Sequence, residues 1–339
     1  MSGYALRKGI SRDRSGIAIV LVLWVVLVLS LLISGFAFTM HVETHVATYA
    51  RMELKAEMLA RSGIEVARME LILHTQSPDS GFDAPNQLWA TNYEMYVDHE
   101  LGEGTFNVTV TDEESKIPID SATDEQLKRL MDLLGVDPSD GDVIVDSILD
   151  WREAGDLARL NGAKNDYYLS LSPPYHCKNA TLDRVEELLL IRGVTKQIYE
   201  GKPATTDEPA IPGLRDIVTT MSSGQVNVNT ASSIVLQAIL DLDDSHVSAL
   251  LAHRDGPDGI PGTEDDQPFH SVAEFLSLLA GIPAQQSDQM AQSIAVNSSH
   301  FTVKSTGEVG GAKRTIITVL QRQQQGLIPV IWTEVRGGL

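Results

Sequence analysis

Cysteine is almost absent from this 339-residue chain: Cys177 stands alone, which rules out an internal disulfide and any Cys-rich zinc module. Positive charge is also scarce, with 26 Lys and Arg against 46 Asp and Glu and a formal net charge of −20. Phosphate recognition needs a basic surface, so this balance argues against a nucleic-acid partner. No Ser/His/Asp elbow, Walker loop or dinucleotide fingerprint occurs. Cys177 follows His176 directly, and sequence neighbours rarely form a nucleophile pair. The chain therefore reads as a non-enzyme. Its length predicts about two globular units with a real core.

Charge is missing altogether between Ile17 and Met40. As a helix these residues span about 36 Å, enough for a bilayer core of about 30 Å. Arg7, Lys8, Arg12 and Arg14 precede them against one acid, Asp13, which predicts a cytoplasmic N-terminus with the rest of the chain across the membrane. A secretory signal, an uncleaved anchor and a prepilin leader all begin this way. The apolar run is long and ends in bulky Phe36, Phe38 and Met40, unlike a signal peptide. Gly16 stands just before it, where glycine can present extended backbone to a peptidase. The junction Arg14-Ser15-Gly16-Ile17 resembles a type IV prepilin leader, cut between Gly16 and Ile17. That family usually has Glu as the fifth residue after the cut, to pair with the amine of the subunit above; here the residue is Leu21. A subunit with nothing above it needs no such Glu, so Leu21 suits a tip position.

The helix is expected to continue to about His74, some 55 residues in all, with an apolar stripe of Met52, Ala56, Leu59, Gly63 and Val66. Its free length should pack against neighbouring subunits. His41 and His45 lack the HExxH arrangement and read as polar membrane-edge residues.

Strands are expected at Tyr93 to Leu101, Thr105 to Thr111, Phe301 to Ser305 and Thr315 to Gln321, with Ile328 to Val335 as a fifth. Gly102 to Gly104 turns the first pair; Gly307, Gly310 and Gly311 turn the second. Between them lies a long helical stretch that repeats. Lys116 to Ala122 aligns with Gln225 to Ala231, Asp150-Trp151-Arg152 with Ala252-His253-Arg254, Leu182 to Leu188 with Phe269 to Phe275, and Gly193-Val194 with Gly281-Ile282. Val226 to Ala231 is an opening typical of helix-hairpin-helix modules, whose Asn and Thr side chains are expected to cap the next helix. The fold class is therefore α+β: a long N-terminal transmembrane helix and an antiparallel sheet interrupted by a large duplicated helical (helix-hairpin-helix or SAM-like) insertion. The expected division is a leader at 1–16, the helix at 17–75, the sheet at 76–112 and 299–339, and the insertion at 113–298, with repeats at about 113–200 and 222–298.

Each repeat carries an acidic loop. In the second, Asp255, Asp258, Glu264, Asp265 and Asp266 fall within twelve residues that also hold two Pro and three Gly. Carboxylates, tight bends and free carbonyls such as that of Ile260 suit a hard cation, calcium being the candidate. A solvated acidic loop is the alternative. In the first repeat Gly162 to Asp166 corresponds to Gly262 to Asp266, with Lys164 and Asn165 replacing two acids. A second site would involve Asp150, Asp156 and Asp166.

Ile148 to Arg152, Arg159 to Ala163, Tyr167-Tyr168, Val185 to Leu189 and Val226 to Ala231, together with the leader and Leu21, resemble the minor pseudopilin K family of type II secretion systems. The resemblance runs from about Gly16 to about Arg322. It implies an inner-membrane, single-pass pseudopilin whose periplasmic globular part has a pilin-like sheet and holds calcium. Its implied partners are the minor pseudopilins I and J, the major pseudopilin, the prepilin peptidase, the inner-membrane assembly platform and membrane lipid. The implied role is to start or cap a short pseudopilus that pushes folded proteins through an outer-membrane pore. The rival classes are a membrane-anchored calcium-binding adhesin, a helix-hairpin-helix DNA receptor and a membrane-bound metallohydrolase.

Overall fold

The computed structural model describes residues 14–204, 209–279, 281–324 and 326–336. Most of the expected leader, residues 1–13, lies outside them, as do 337–339. The chain divides into two compact units, Met1–Lys55 and Ala56–Leu339.

Helix α1 runs from Arg14 to Thr75, 62 residues without a proline. Its apolar N-terminal stretch faces outward throughout: Trp24, Leu31, Phe36 and Phe38 are all exposed. It is long and apolar enough to cross a membrane.

In the second unit the last five turns of α1 lie on a five-stranded antiparallel sheet. Its strands are β1 (His99–Leu101), β2 (Gly104–Asp112), β3 (His300–Val309), β4 (Ala312–Gln323) and β5 (Gly326–Arg336), in that spatial order. The buried stripe of α1 includes Ala56, Leu59 and Gly63, as expected, with Ala60, Ile64, Ala67 and Leu71. Met52 and Val66, expected in the stripe, are only half-buried. Small residues prevail because the backbones nearly touch. A Cβ on Gly307 would lie 2.1 Å from the Ala56 carbonyl oxygen, and one on Gly63 would lie 2.3 Å from Ser305 Oγ. Gly307 therefore belongs inside β3 as a contact residue, not in the turn that the sequence suggested. Tyr93–Tyr96 is a short helix rather than the start of a strand, capped by the Asn92 side chain accepting from Met95 N at 3.3 Å. Only His99–Leu101 of that segment pairs in the sheet.

Asp112 ends β2 and His300 opens β3, so everything between is inserted between neighbouring strands. One contiguous apolar core, from Phe82 to Val296, runs through this insertion and includes Leu130, Ile148, Leu236 and Phe275. Equivalent contacts recur in its two halves. Ile117–Pro118 pairs in parallel with Val218–Thr219, and Val226–Asn227 with Ile294–Ala295. The Arg152 guanidinium donates to the carbonyls of Ile119 and Ala122 at 2.6 and 2.7 Å; Arg254 donates to those of Val228 and Ala231 at 3.1 and 2.7 Å. Asp120 accepts from Leu182 N as Asn229 accepts from Phe269 N. Glu187 and Glu274 each take up the backbone N–H four residues earlier.

Two details differ from the sequence reading. The first half reaches Thr219, beyond the boundary near 200, because a small hairpin pairing Gly201–Lys202 with Ile211–Pro212 interrupts it before its closing strand. Nor do Asn229 and Thr230 cap the helix Ser233–Leu240. Asn229 binds Phe269 N, Thr230 binds Asp112, and the N-cap Ser232 makes no side-chain cap.

Candidate functional site

Gly16 and Ile17 lie inside the first turn of α1, where the sequence suggested extended backbone. Glycine is the poorest helix former after proline, so this is where the helix unwinds most cheaply. Leu21 is exposed on the same helix. At the end of the apolar stretch His41 and His45 meet edge to face, with their Nε2 atoms 3.1 Å apart.

The acidic loop of the second repeat is knotted by its own carboxylates. Asp258 accepts from Ile260 N, Asp265 from Asp258 N and Thr263 Oγ1, and Asp266 from Gly262 N. The Thr263 hydroxyl leads the groups that hold the Asp265 carboxyl below the usual carboxylate range. Asp255, expected as a ligand, is engaged by Arg254 instead, at 2.6 Å from Nε and 3.2 Å from Nη2. That pairing balances the charge of the carboxylate at the loop's base. Glu264 is exposed.

In the first repeat the three expected ligands are not brought together. Asp156 and Asp166 are exposed, while Asp150 is buried and accepts from Arg159 N at 3.0 Å. Burial pushes the Asp150 carboxyl up. Among the described residues no three His, Cys, Asp or Glu side chains group as metal ligands. Cys177 is buried, and burial raises its thiol.

A buried polar hub joins the sheet to both repeats. Asp83 takes Arg322 Nη1 and Nη2 at 2.8 and 2.9 Å and lies 3.1 Å from His74 Nε2. Burial raises its pKa, but these partners outweigh burial and lower it overall. Asp112 Oδ2 accepts from Asn227 Nδ2 at 3.1 Å, Ser298 Oγ at 2.7 Å and Thr230 Oγ1 at 2.5 Å, all without a cation. Burial, with the Glu114 charge beside it, pushes Asp112 up to about 7. Glu113 accepts from Thr219 Oγ1 and Lys116 Nζ; Glu114 accepts from Ser223 N and the His300 ring. Three consecutive acids at the end of an alternating strand were the only trace of this hub in the sequence.

Family models described as "Type II secretion system (T2SS), protein K" match residues 104–201 and 226–297, together half of the chain. The chain belongs to the protein K family of type II secretion systems. The type II secretion system protein K of Pseudomonas aeruginosa is 25% identical over 97% of this chain and 95% of its own length. A putative protein K of Escherichia coli K12 is 33% identical over 35% of each chain. The fold matches a chain of the crystal structure of the GspK-GspI-GspJ complex from the enterotoxigenic E. coli type 2 secretion system. The TM-score is 0.69 with 19% identity, covering 87% of this chain and all of that one. The protein K models fall on the insertion and on β2, leaving α1 outside them.

Proposed function

We propose that this chain is a minor pseudopilin at the tip of the type II secretion pseudopilus, where it starts or caps assembly and supports export of folded proteins. The observation that carries this reading is the placement of two helical repeats between adjacent strands β2 and β3. An insertion of that size obstructs addition of a further subunit on top. The unpartnered apolar stretch of α1 supports a single pass through the inner membrane, and the basic residues before it support a cytoplasmic N-terminus. On this reading the prepilin peptidase cuts between Gly16 and Ile17, and Leu21 needs no amine above it. The partners are minor pseudopilins I and J, as named in the related complex, and below them the major pseudopilin and the assembly platform. Calcium, if held, takes its carboxylates from Asp258, Asp265 and Asp266 of the second loop. The tight turns that these carboxylates close with the loop's own backbone N–H groups support it.

N-terminal sequencing of the membrane-bound protein tests the processing step: Ile17 is expected as the first residue, and Met1 would refute it. Co-purification with minor pseudopilins I and J tests the position. A stable three-protein complex is expected; recovery of this chain only with the major pseudopilin, in mid-fibre stoichiometry, would refute the tip assignment.

A further inference from the structure

One aligned position reverses sign between the repeats: Lys164 stands where the second repeat has Glu264. Lys164 is only 4% exposed. Its ammonium donates to Asp150 O at 2.5 Å, Glu153 O at 2.6 Å and Asn179 Oδ1 at 2.8 Å. An ammonium has three donors, and all are used. Two acceptors are carbonyls at the C-terminal end of the helix Pro138–Arg152, where unsatisfied carbonyls carry partial negative charge. The third comes from Asn179, held at φ +53, a left-handed conformation that Asn tolerates better than most residues. Asn179 belongs to a segment that the second repeat lacks. Fifteen residues separate Asp166 from Leu182, whereas only Gln267 and Pro268 separate Asp266 from Phe269.

The oxygens that would suit a divalent ion are thus already spent on an ammonium. The acids expected to supply its charge do not converge, and Asp150 lies so close to Gly162 that a Cβ there would sit 2.0 Å from Oδ2. Calcium needs six to eight oxygens at about 2.3–2.6 Å and cannot share this space with Nζ. We infer that Lys164 is the resident cation of the first repeat: its ammonium fills the oxygen cage formed by Asp150, Glu153 and Asn179, and this half folds without a divalent metal. Burying a lone ammonium is costly, and the cage offsets that cost by satisfying every N–H. The ammonium also ties the end of one helix to the segment carrying Asn179.

Hydrogen exchange of residues 150–181, on the full chain in detergent micelles with calcium or with a chelator, tests this without reference to secretion. In the wild type, protection is expected to be the same in both conditions. Lys164→Met should exchange at least about tenfold faster in both, since the tie is gone. Lys164→Glu should exchange fast in chelator and slowly in calcium, because a carboxylate turns the same oxygens into a divalent site. Calcium protecting this segment in the wild type would overturn the inference, as would a folded Lys164→Met that exchanges like the wild type. Should Lys164→Met fail to fold, Lys164→Glu decides: indifference to calcium would also overturn it.

Discussion

Arg152 and Arg254 do the same work in the two repeats, each clamping two carbonyls of the segment that opens its own repeat. They differ in their surroundings. Arg254 is buried against the carboxylate of Asp255, while Arg152 is half-buried with Asp120 and Glu153 acting only at a distance. The loops diverge more: one is closed by a lysine, the other by five acids and three glycines. The frame is maintained by the two arginines, which satisfy equivalent carbonyls in both repeats, and the loops between differ in length, charge and partners.

The largest test of this comparison is removal of each clamp. Arg254→Ala leaves two buried carbonyls and the buried Asp255 carboxylate without their partner, for about 3–5 kcal/mol. Arg152→Ala leaves two carbonyls alone, for about 2–3 kcal/mol. Denaturant unfolding of the full chain in micelles measures both, and an Arg152→Ala cost equal to or above that of Arg254→Ala would break the contrast.

The aligned glycines sharpen it. Gly162 has no room for a methyl group beside Asp150, whereas Gly262 has room, with its nearest neighbour Pro85 O at 3.5 Å, but sits at φ +90. Gly162→Ala is expected to cost about 3 kcal/mol through overpacking. Gly262→Ala should cost about 1–2 kcal/mol through backbone strain alone. Thermal unfolding of the two variants should therefore rank them in that order.

These glycines mark what could be read from the sequence. Periodicity revealed α1, and the aligned Ile119/Val228 and Arg152/Arg254 positions revealed the duplication, because repeats preserve the spacing of what they bury. The five-stranded sheet was visible in β-branched alternation. Tyr93–Tyr96 was misread because aromatic residues favour strands in general, while the Asn92 cap that makes a helix there is a single local bond. The acidic loops were visible as composition only. That Asp255 turns back onto its neighbour Arg254, and that Lys164 reaches Asn179 fifteen residues on, are set by the fold around them, which no local pattern encodes. The hub of Asp83, Asp112 and His300 was hidden for the same reason, its members being up to 217 residues apart.

That hub grips the two repeats through different acids, which gives opposite pH dependences. Asp112 holds Asn227 and Thr230 of the second repeat, and its folded pKa is raised to about 7. Its contribution is full below the usual carboxylate range and is lost as pH rises through about 7. Glu113 holds Thr219 of the first repeat; burial raises its pKa, but Lys116 and the hydroxyls lower it overall. Its contribution is present above the usual range and is lost as pH falls through the lowered value. Between about pH 4 and 7 the wild type should lose on the order of 2 kcal/mol relative to Asp112→Asn. Hydrogen exchange should place that loss at the second repeat. Parallel pH profiles for the two proteins would remove Asp112 from the account.

The smallest effect is expected where the loops are most open. Leu157 and Leu160 are 92% and 95% exposed, although the backbone beside them is tied down by Arg159 N to Asp150 and Asn161 N to Asp146. Their side chains bury almost nothing, so Leu157→Ser and Leu160→Ser should each change stability by less than about 0.5 kcal/mol. Ile260, in the second loop, is 58% exposed, and Ile260→Ser should cost slightly more. A loss above about 1 kcal/mol for either leucine would mean that the first loop folds inward in solution. Rigidity from Lys164 and Arg159 would then serve packing within the repeat. A null result leaves two apolar side chains held outward on a hydrogen-bonded backbone in the first loop, where the second loop holds Ile260 in the same way.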